Sequence, residues 1–330
     1  MIRVGLLGCG RIGRIHGHNI TALNNAELVA LFDPVADAAN EVAAHTGAEP
    51  RTAEAIINAS DIDAVLICTP TSTHYEIIHQ CAEAGKAIFC EKPVDLNLER
   101  SRQCVAAAER AGVPFMVAFN RRFDPNFAAL QSRLRNGEIG EVELVTILSR
   151  DPAPPPIDYL KISGGLFQDM MIHDFDMARF LLGEEPVELH AAGSVLVDPD
   201  IAGAGDIDTA AVTLKTASGK ICQISNSRRA SYGYDQRIEV HGSKGMFRAE
   251  NLLENSVEIA TESGFKRAPA QHFFLERYAE AYRAEIRHFI DCLEQDQSIE
   301  PGGSDGLRAQ ALAEAAALSL KQGNVQTLSI

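Results

Sequence analysis

Tryptophan is absent from this chain, aromatic residues make up only 6%, and positive charge is in deficit. Thirty Lys and Arg stand against 45 Asp and Glu, for a net charge of −15. A surface this acidic repels phosphate backbones and anionic headgroups, which argues against nucleic acid or membrane as a partner. The seven cysteines (Cys9, Cys68, Cys81, Cys90, Cys104, Cys222 and Cys292) include no Cys-x-x-Cys pair. They read as reduced core residues of a cytoplasmic protein, neither a disulfide framework nor a zinc site. No apolar run approaches the roughly 18 residues of a membrane-spanning helix. Met1 to Gly5 lead straight into a strand pattern, so no signal peptide is expected. There is no internal repeat, and the one Pro-rich patch, Pro152 to Pro156, reads as a rigid loop.

At 330 residues the chain exceeds the roughly 250–300 at which single cores stop growing, so two domains are expected. Ile2 to Leu7 is a short apolar run suited to a strand buried on both faces. It ends in Gly8-Cys9-Gly10-Arg11-Ile12-Gly13, followed by a helical stretch to about Asn24. Strand, Gly-x-Gly-x-x-Gly and helix in that order make a dinucleotide cradle. The glycines allow a tight turn and close approach of a pyrophosphate, and the helix N-terminus offers free N–H groups. A second strand, Leu28 to Phe32, ends in Asp33, 20 residues after Gly13, where a carboxylate can bind the adenosine ribose. No Lys or Arg follows Asp33 before Arg51, so NAD is expected over NADP.

Helices at Val35–Thr46, Tyr75–Ala84 and Leu98–Ala111 alternate with strands at Ala64–Cys68, Ala87–Cys90 and Pro114–Ala118. That alternation predicts a doubly wound parallel sheet with ligands at the strands' carboxyl ends. Gly8, Asp33, Thr69-Pro70 and Glu91-Lys92-Pro93 therefore become candidate site positions. Lys92, just past a buried strand, can donate to a substrate oxygen.

Hydride transfer to nicotinamide leaves a proton that needs its own acceptor. His16 and His18 lie in the first helix, away from Cys partners, and read as helix surface rather than zinc ligands. None of the six tyrosines has Lys four residues later, which excludes a Tyr-x-x-x-Lys pair. What remains is the stretch Gly164 to Asp176, read as one helix running on to Leu182. On it Asp169, His173, Asp176 and Phe180 share a face, while Met171, Phe175, Ala178 and Leu182 form an apolar one. His173 has the side chain suited to general base work near neutrality, and Asp169 can orient it or pair with Lys92. A metal bound at Asp169 and His173 is a third, weaker reading.

The N-terminal Gly-x-Gly-x-x-Gly, Thr69-Pro70 with His74, Glu91-Lys92-Pro93 and Gly164-Gly165…Asp169…His173 together resemble the Gfo/Idh/MocA oxidoreductase family. The resemblance spans essentially the whole chain. It implies an N-terminal Rossmann domain, residues 1–120, that holds NAD through Gly8, Gly10, Arg11, Ile12, Gly13, Asp33, Thr69, Pro70, His74, Glu91 and Lys92. It also implies an α+β domain, residues 121–330, with a large open-faced, mainly antiparallel sheet. Lys92, Asp169 and His173 would be the catalytic set, and no metal is implied. Met171 departs from the small residue that many members carry there, which alters the wall beside His173. The free sheet face would assemble a homotetramer.

In the second half, a helix is expected at Asn126–Asn136 and strands at Val142–Arg150, Val187–Leu196, Thr209–Thr216, Lys220–Arg228, Arg237–His241 and Met246–Ala249. Two helices, Phe273–Glu294 and Gly306–Leu320, close the chain. Arg122, Asp151, Asp169, His173, Asp176 and Tyr232, with Lys92, form a polar inventory that suits a neutral polyol, since each carboxylate can accept hydroxyl hydrogen bonds. Ser227 to Arg237 is similar to the family's inositol 2-dehydrogenase branch, in which the first of two tyrosines, here Tyr232, reaches the substrate. That likeness implies oxidation of myo-inositol at its 2-hydroxyl. Dehydrogenases of scyllo-inositol, glucose or another polyol, and a non-catalytic NAD- or sugar-sensing module, are the alternatives.

Overall fold

The computed structural model describes residues 1–328. They form two compact units: Met1–Phe123 with Ala281–Gln310, and Asp124–Glu280 with the segment from Ala311 on. A single break at residue 120 does not capture this. The helix Ala279–Glu294 returns to the first unit because Ile286, Phe289 and Ile290 are apolar and fully buried there against Phe89 and its neighbours. Each such side chain contributes about 1.5–3 kcal/mol by burial.

In the first unit, strands β1 (Ile2–Leu7), β2 (Ala26–Phe32), β3 (Glu49–Pro50), β4 (Ala64–Ile67), β5 (Ala87–Cys90) and β6 (Phe115–Val117) make one parallel sheet in the order β3-β2-β1-β4-β5-β6. Every residue of β4, β5 and β6 is buried, as expected for strands covered on both faces. The order reverses between β1 and β4, which opens a crevice at their carboxyl ends. Strand β3 has two residues and is paired only through Ala30 and Leu31, too short to leave a pattern in the sequence. Pro301 accepts the N–H of Val117 at 3.1 Å, so the returning segment also closes the β6 edge.

In the second unit, β7 (Val142–Arg150), β8 (Pro186–Ser194), β9 (Thr209–Thr216), β10 (Ile221–Ser227), β11 (Asp235–Gly242) and β12 (Gly245–Ala249) join β15 (Gln326–Thr327) in one sheet. The intervening β13 (Glu258–Thr261) and β14 (Gly264–Arg267) form a separate hairpin that the sequence pattern did not reveal. All neighbours in the large sheet run antiparallel except β7 and β10, which are parallel. Burial alternates along β9 and β10, so one face is covered. Leu144, Ile221 and Met246 on these strands are more than one-third exposed. The helix Ile172–Leu182 packs on β7 and β10.

Asp124 anchors the start of this unit. Its carboxylate accepts the N–H groups of Asn126 at 3.0 Å and Phe127 at 3.1 Å, capping the helix Pro125–Arg135. The same group pairs with the buried guanidinium of Arg277. Removing one member of a buried pair strands the other charge, so Asp124→Ala should cost about 3–5 kcal/mol in chemical denaturation. A loss below about 1 kcal/mol would show that the pair is not coupled to folding.

Candidate active site

The glycine turn of the first unit is built at backbone contact. A Cβ on Gly8 (φ +95°) would stand 2.5 Å from the Cys68 carbonyl oxygen, and one on Gly13 would stand 1.9 Å from that of Gly8. Only glycine permits β1, β4 and the helix Arg11–Thr21 to meet this closely. At Gly10 nothing lies within 4 Å of an added Cβ, so the open backbone at this helix N-terminus has room for a pyrophosphate. Arg11 is exposed beside it and Ile12 is half-buried.

Asp33 closes the turn from the side. Its Oδ2 accepts the Cys9 N–H at 2.7 Å and its Oδ1 accepts the Val35 N–H at 2.8 Å. Arg51 is held by Asp61 through two bonds of 3.1 and 3.0 Å and by Glu49 at 2.9 Å. Its guanidinium is thus paired with two carboxylates.

His74 is 1% exposed. Its Nε2 lies 2.9 Å from the Thr69 carbonyl oxygen and its Nδ1 lies 3.0 Å from that of Pro93. The ring therefore lies between the Thr69-Pro70 loop and the Glu91-Lys92-Pro93 loop, donating to one of the two carbonyls when neutral, and burial lowers its pKa. What His74 offers a cofactor is the spacing of two loops. Lys92 is half-buried on the second of them. Arg122, expected among substrate contacts, is buried and pairs with Asp305 at 3.0 Å. His18 is exposed as expected, but His16 is fully buried: its Nε2 sits 2.8 Å from Glu91 Oε1. The reading of His16 as helix surface is corrected, because the helix turns this face onto Phe89 and Tyr282.

The second unit gathers its polar residues at one end of the large sheet. Ser227 at the end of β10 and Asp235 at the start of β11 both pair with Arg150 at the end of β7. Asp151 follows there, its N–H donating to Ser227 at 3.0 Å. Tyr232, half exposed, donates to Asp235 at 2.6 Å; desolvation and this bond raise its pKa. Asp235 is wholly buried. Burial opposes its charge, but Arg237, Tyr232 and Asn251 hold its carboxyl below the usual carboxylate range. Tyr234 is buried edge-on against Tyr278.

The expected single helix from Gly164 to Leu182 is two: Gly165–Asp169 and Ile172–Leu182. Between them the Leu166 carbonyl accepts both the Met170 N–H at 3.1 Å and the Met171 N–H at 2.9 Å. The second closure spans five residues, the wide turn of a π-bulge. Leu166, Phe167, Met170, Met171 and Ile172 are all buried, which successive positions 100° apart on one regular helix achieve poorly. Asp169 and His173 therefore flank a bulge and do not share a regular turn. The apolar face of Met171, Phe175, Ala178 and Leu182 is buried as expected.

Asp169 Oδ1 accepts from the Tyr159 hydroxyl at 2.8 Å, and its Oδ2 lies 3.6 Å from Arg228. Arg228 is 1% exposed and also reaches Asp206 at 3.3 Å. Asp206 in turn accepts the Leu166 N–H at 2.8 Å. Next to His173, Asp174 is fully buried and accepts from Ser149 at 2.6 Å and Asn226 at 2.9 Å, pinning the helix to β7 and β10. His173 is the one partly exposed residue between Met170 and Arg179. Asp176 is buried and lies 3.7 Å from Arg179. Sequence reasoning missed Tyr159, Arg228, Asp206 and Asp174. Arg228 stands in the segment already compared with relatives, but the others gave no local signal.

Among the described residues, the group with ligand spacing for a metal is His16, Glu91 and Glu285. No helix among them is long and apolar enough to cross a membrane.

A doubly wound sheet with a glycine cradle and an acid at the next strand end defines a dinucleotide-dependent oxidoreductase. Residues 2–119 match the oxidoreductase family's NAD-binding Rossmann fold and residues 131–328 its C-terminal alpha/beta domain. The chain belongs to the Gfo/Idh/MocA oxidoreductase family. It is 56% identical over 321 residues, 97% of each chain, to an inositol 2-dehydrogenase of Rhizobium meliloti (strain 1021). The crystal structure of a myo-inositol dehydrogenase from Corynebacterium glutamicum superposes with a TM-score of 0.96 at 42% identity, covering 100% of this chain and 99% of that one. A myo-inositol dehydrogenase from Lactobacillus casei, solved with NAD(H) and myo-inositol, gives 0.89 at 26% identity, covering 100% and 97%.

Replacing Asp33 by Ser should weaken NAD more than NADP in direct binding measurements. An unchanged ratio of the two dissociation constants would remove Asp33 from the ribose site.

Proposed function

We propose that the chain is an NAD-dependent inositol 2-dehydrogenase that oxidises the 2-hydroxyl of myo-inositol to 2-keto-myo-inositol, scyllo-inosose. The observation that carries this is the 56% identity to an inositol 2-dehydrogenase along 97% of both chains. The presence of Lys92, Asp169 and His173 together supports it. Bound NAD accepts the hydride from the carbinol carbon. Gly8, Gly10, Arg11, Ile12 and Gly13 cradle its pyrophosphate, Asp33 takes the ribose hydroxyls, and Thr69, Pro70, His74 and Glu91 shape the nicotinamide end. Lys92 donates to the reacting oxygen and lowers the hydroxyl's pKa, while the imidazole of His173 takes the departing proton. Asp169, held in place by Tyr159 and Arg228, orients the imidazole. Arg122, Asp151, Asp176 and Tyr232 bind the remaining hydroxyls; Tyr232, whose proton goes to Asp235, accepts from one of them.

The protein works in the cytoplasm as a homotetramer assembled through the open sheet face, where Leu144, Ile221 and Met246 are exposed. Light scattering should report a tetramer that Ile221→Glu weakens; a monomeric wild type would refute the assembly.

NADH formation with myo-inositol, set against scyllo-inositol, glucose and other polyols, tests the activity. Tight NAD binding with no reduction by any polyol would favour a sensing module. His173→Ala should lower kcat by roughly 10²–10⁴-fold with NAD affinity retained; an active variant would exclude His173 as the base.

A further inference from the structure

Under the Glu91-Lys92-Pro93 loop the first unit buries titratable side chains that no step above uses. Glu285, from the helix Ala279–Glu294, is wholly buried, and neither of its carboxyl oxygens has a hydrogen-bond partner. Its Oε1 lies 4.0 Å from His16 Nε2, the same nitrogen that stands 2.8 Å from Glu91 Oε1. His16 is itself wholly buried, its ring edge-on to Phe89 and Tyr282. Cys68 borders the cluster from the end of β4, with Glu91, Glu285, Cys9 and Cys90 near it.

One imidazole N–H can serve one carboxylate. A second carboxylate in the same dry space would face its neighbour's charge with no solvent to screen it, so one of the two acids keeps its proton. Glu91 has the hydrogen bond and partial access to solvent; Glu285 has neither. Burial and then the charge of Glu91 push the Glu285 carboxyl well above its ordinary range.

The position of this cluster in the chain gives it a use. Lys92 lies between two residues that are each fastened by a buried histidine: Glu91 by His16, and Pro93 by His74. We propose that His16 and Glu285 are positioning residues for Lys92: His16 holds the Glu91 side chain through Nε2, Glu285 keeps its own proton and so does not compete for that nitrogen, and together they fix the turn from which Lys92 projects. The use rests on the reading of Lys92 as a catalytic group; the proton on Glu285 does not. A divalent cation could engage the same three side chains, but the 2.8 Å separation of His16 and Glu91 is that of a hydrogen bond.

Glu285→Gln tests the proton directly, since it keeps the volume and removes the ionisation. An unfolded Glu titrates near pH ~4.3, whereas Glu285 in the fold stays protonated to higher pH. Unfolding the wild type therefore releases a proton across that window, and the contribution is full below ~4.3 and lost as pH rises. The variant's melting temperature should rise relative to wild type between pH 5 and pH 9, whether or not any polyol is oxidised. His16→Gln should lower kcat by up to about a hundredfold with NAD affinity and far-ultraviolet circular dichroism retained. Parallel melting curves for wild type and E285Q, wild-type kcat in H16Q, or a stoichiometric metal ion that H16Q loses would each overturn the proposal. A wild type that reduces NAD with no polyol, yet diverges from E285Q in its melting curve, would count against the enzymatic reading and leave the buried proton in place.

Discussion

The hydrogen bond from the Cys9 N–H to the Asp33 carboxylate, 2.7 Å long, is the constraint on which the cofactor half depends. It joins the end of β2 to the turn after β1, and so sets the distance between the phosphate cradle and the acid that would take the ribose. The neighbouring constraints are steric. Gly8 and Gly13 bring three backbones into contact, so the cradle's shape is fixed by what cannot fit there. His74 continues the same logic along the sheet, spanning two loop carbonyls with one ring. The crevice edge is thus tied at successive strand ends by side chains that need not touch any ligand.

The second unit solves a different problem. Its helix Ile172–Leu182 carries a partly exposed histidine while resting on a sheet, and it is held there by buried polar groups. Asp174 is satisfied by Ser149 and Asn226 from adjacent strands, and Asp169 by Tyr159 and Arg228. Leaving the buried Asp174 without its partners costs more than the bonds are worth when made. Register between helix and sheet is therefore specified more sharply than apolar packing alone would specify it. His173 emerges from this lattice as the partly exposed residue in an otherwise buried stretch.

Much of this was legible in the residues. The strand–turn–helix around Gly8–Gly13, the parallel sheet and the apolar face of Met171, Phe175, Ala178 and Leu182 follow from local periodicity, which the fold preserves. His16 was not legible, because a histidine on an amphipathic helix looks the same whether its face meets water or a core. Its neighbour Glu285 lies hundreds of residues away and reads as an ordinary helical charge. The bulge at Met170–Met171 escaped for a related reason: consecutive large apolar residues are compatible with one helix on paper, and only the need to bury all of them widens the turn. Asp169 and His173 were singled out by a helical spacing that the bulge breaks, while Arg228, which pairs with Asp169, and Asp206, which pairs with Arg228, come from other elements.

The return of residues 281–310 to the first unit bears on how the molecule is made. A nascent chain that has passed Phe123 already holds all six parallel strands, yet the surface around Phe89 still lacks Ile286, Phe289 and Ile290, and the β6 edge lacks Pro301. On the ribosome the nucleotide-binding half must wait, apolar face uncovered and one strand edge open, until the segment Ala281–Gln310 has been synthesised. The half translated first is the half completed late, and expressing it alone as a stand-alone nucleotide-binding module would leave it permanently in that unfinished condition.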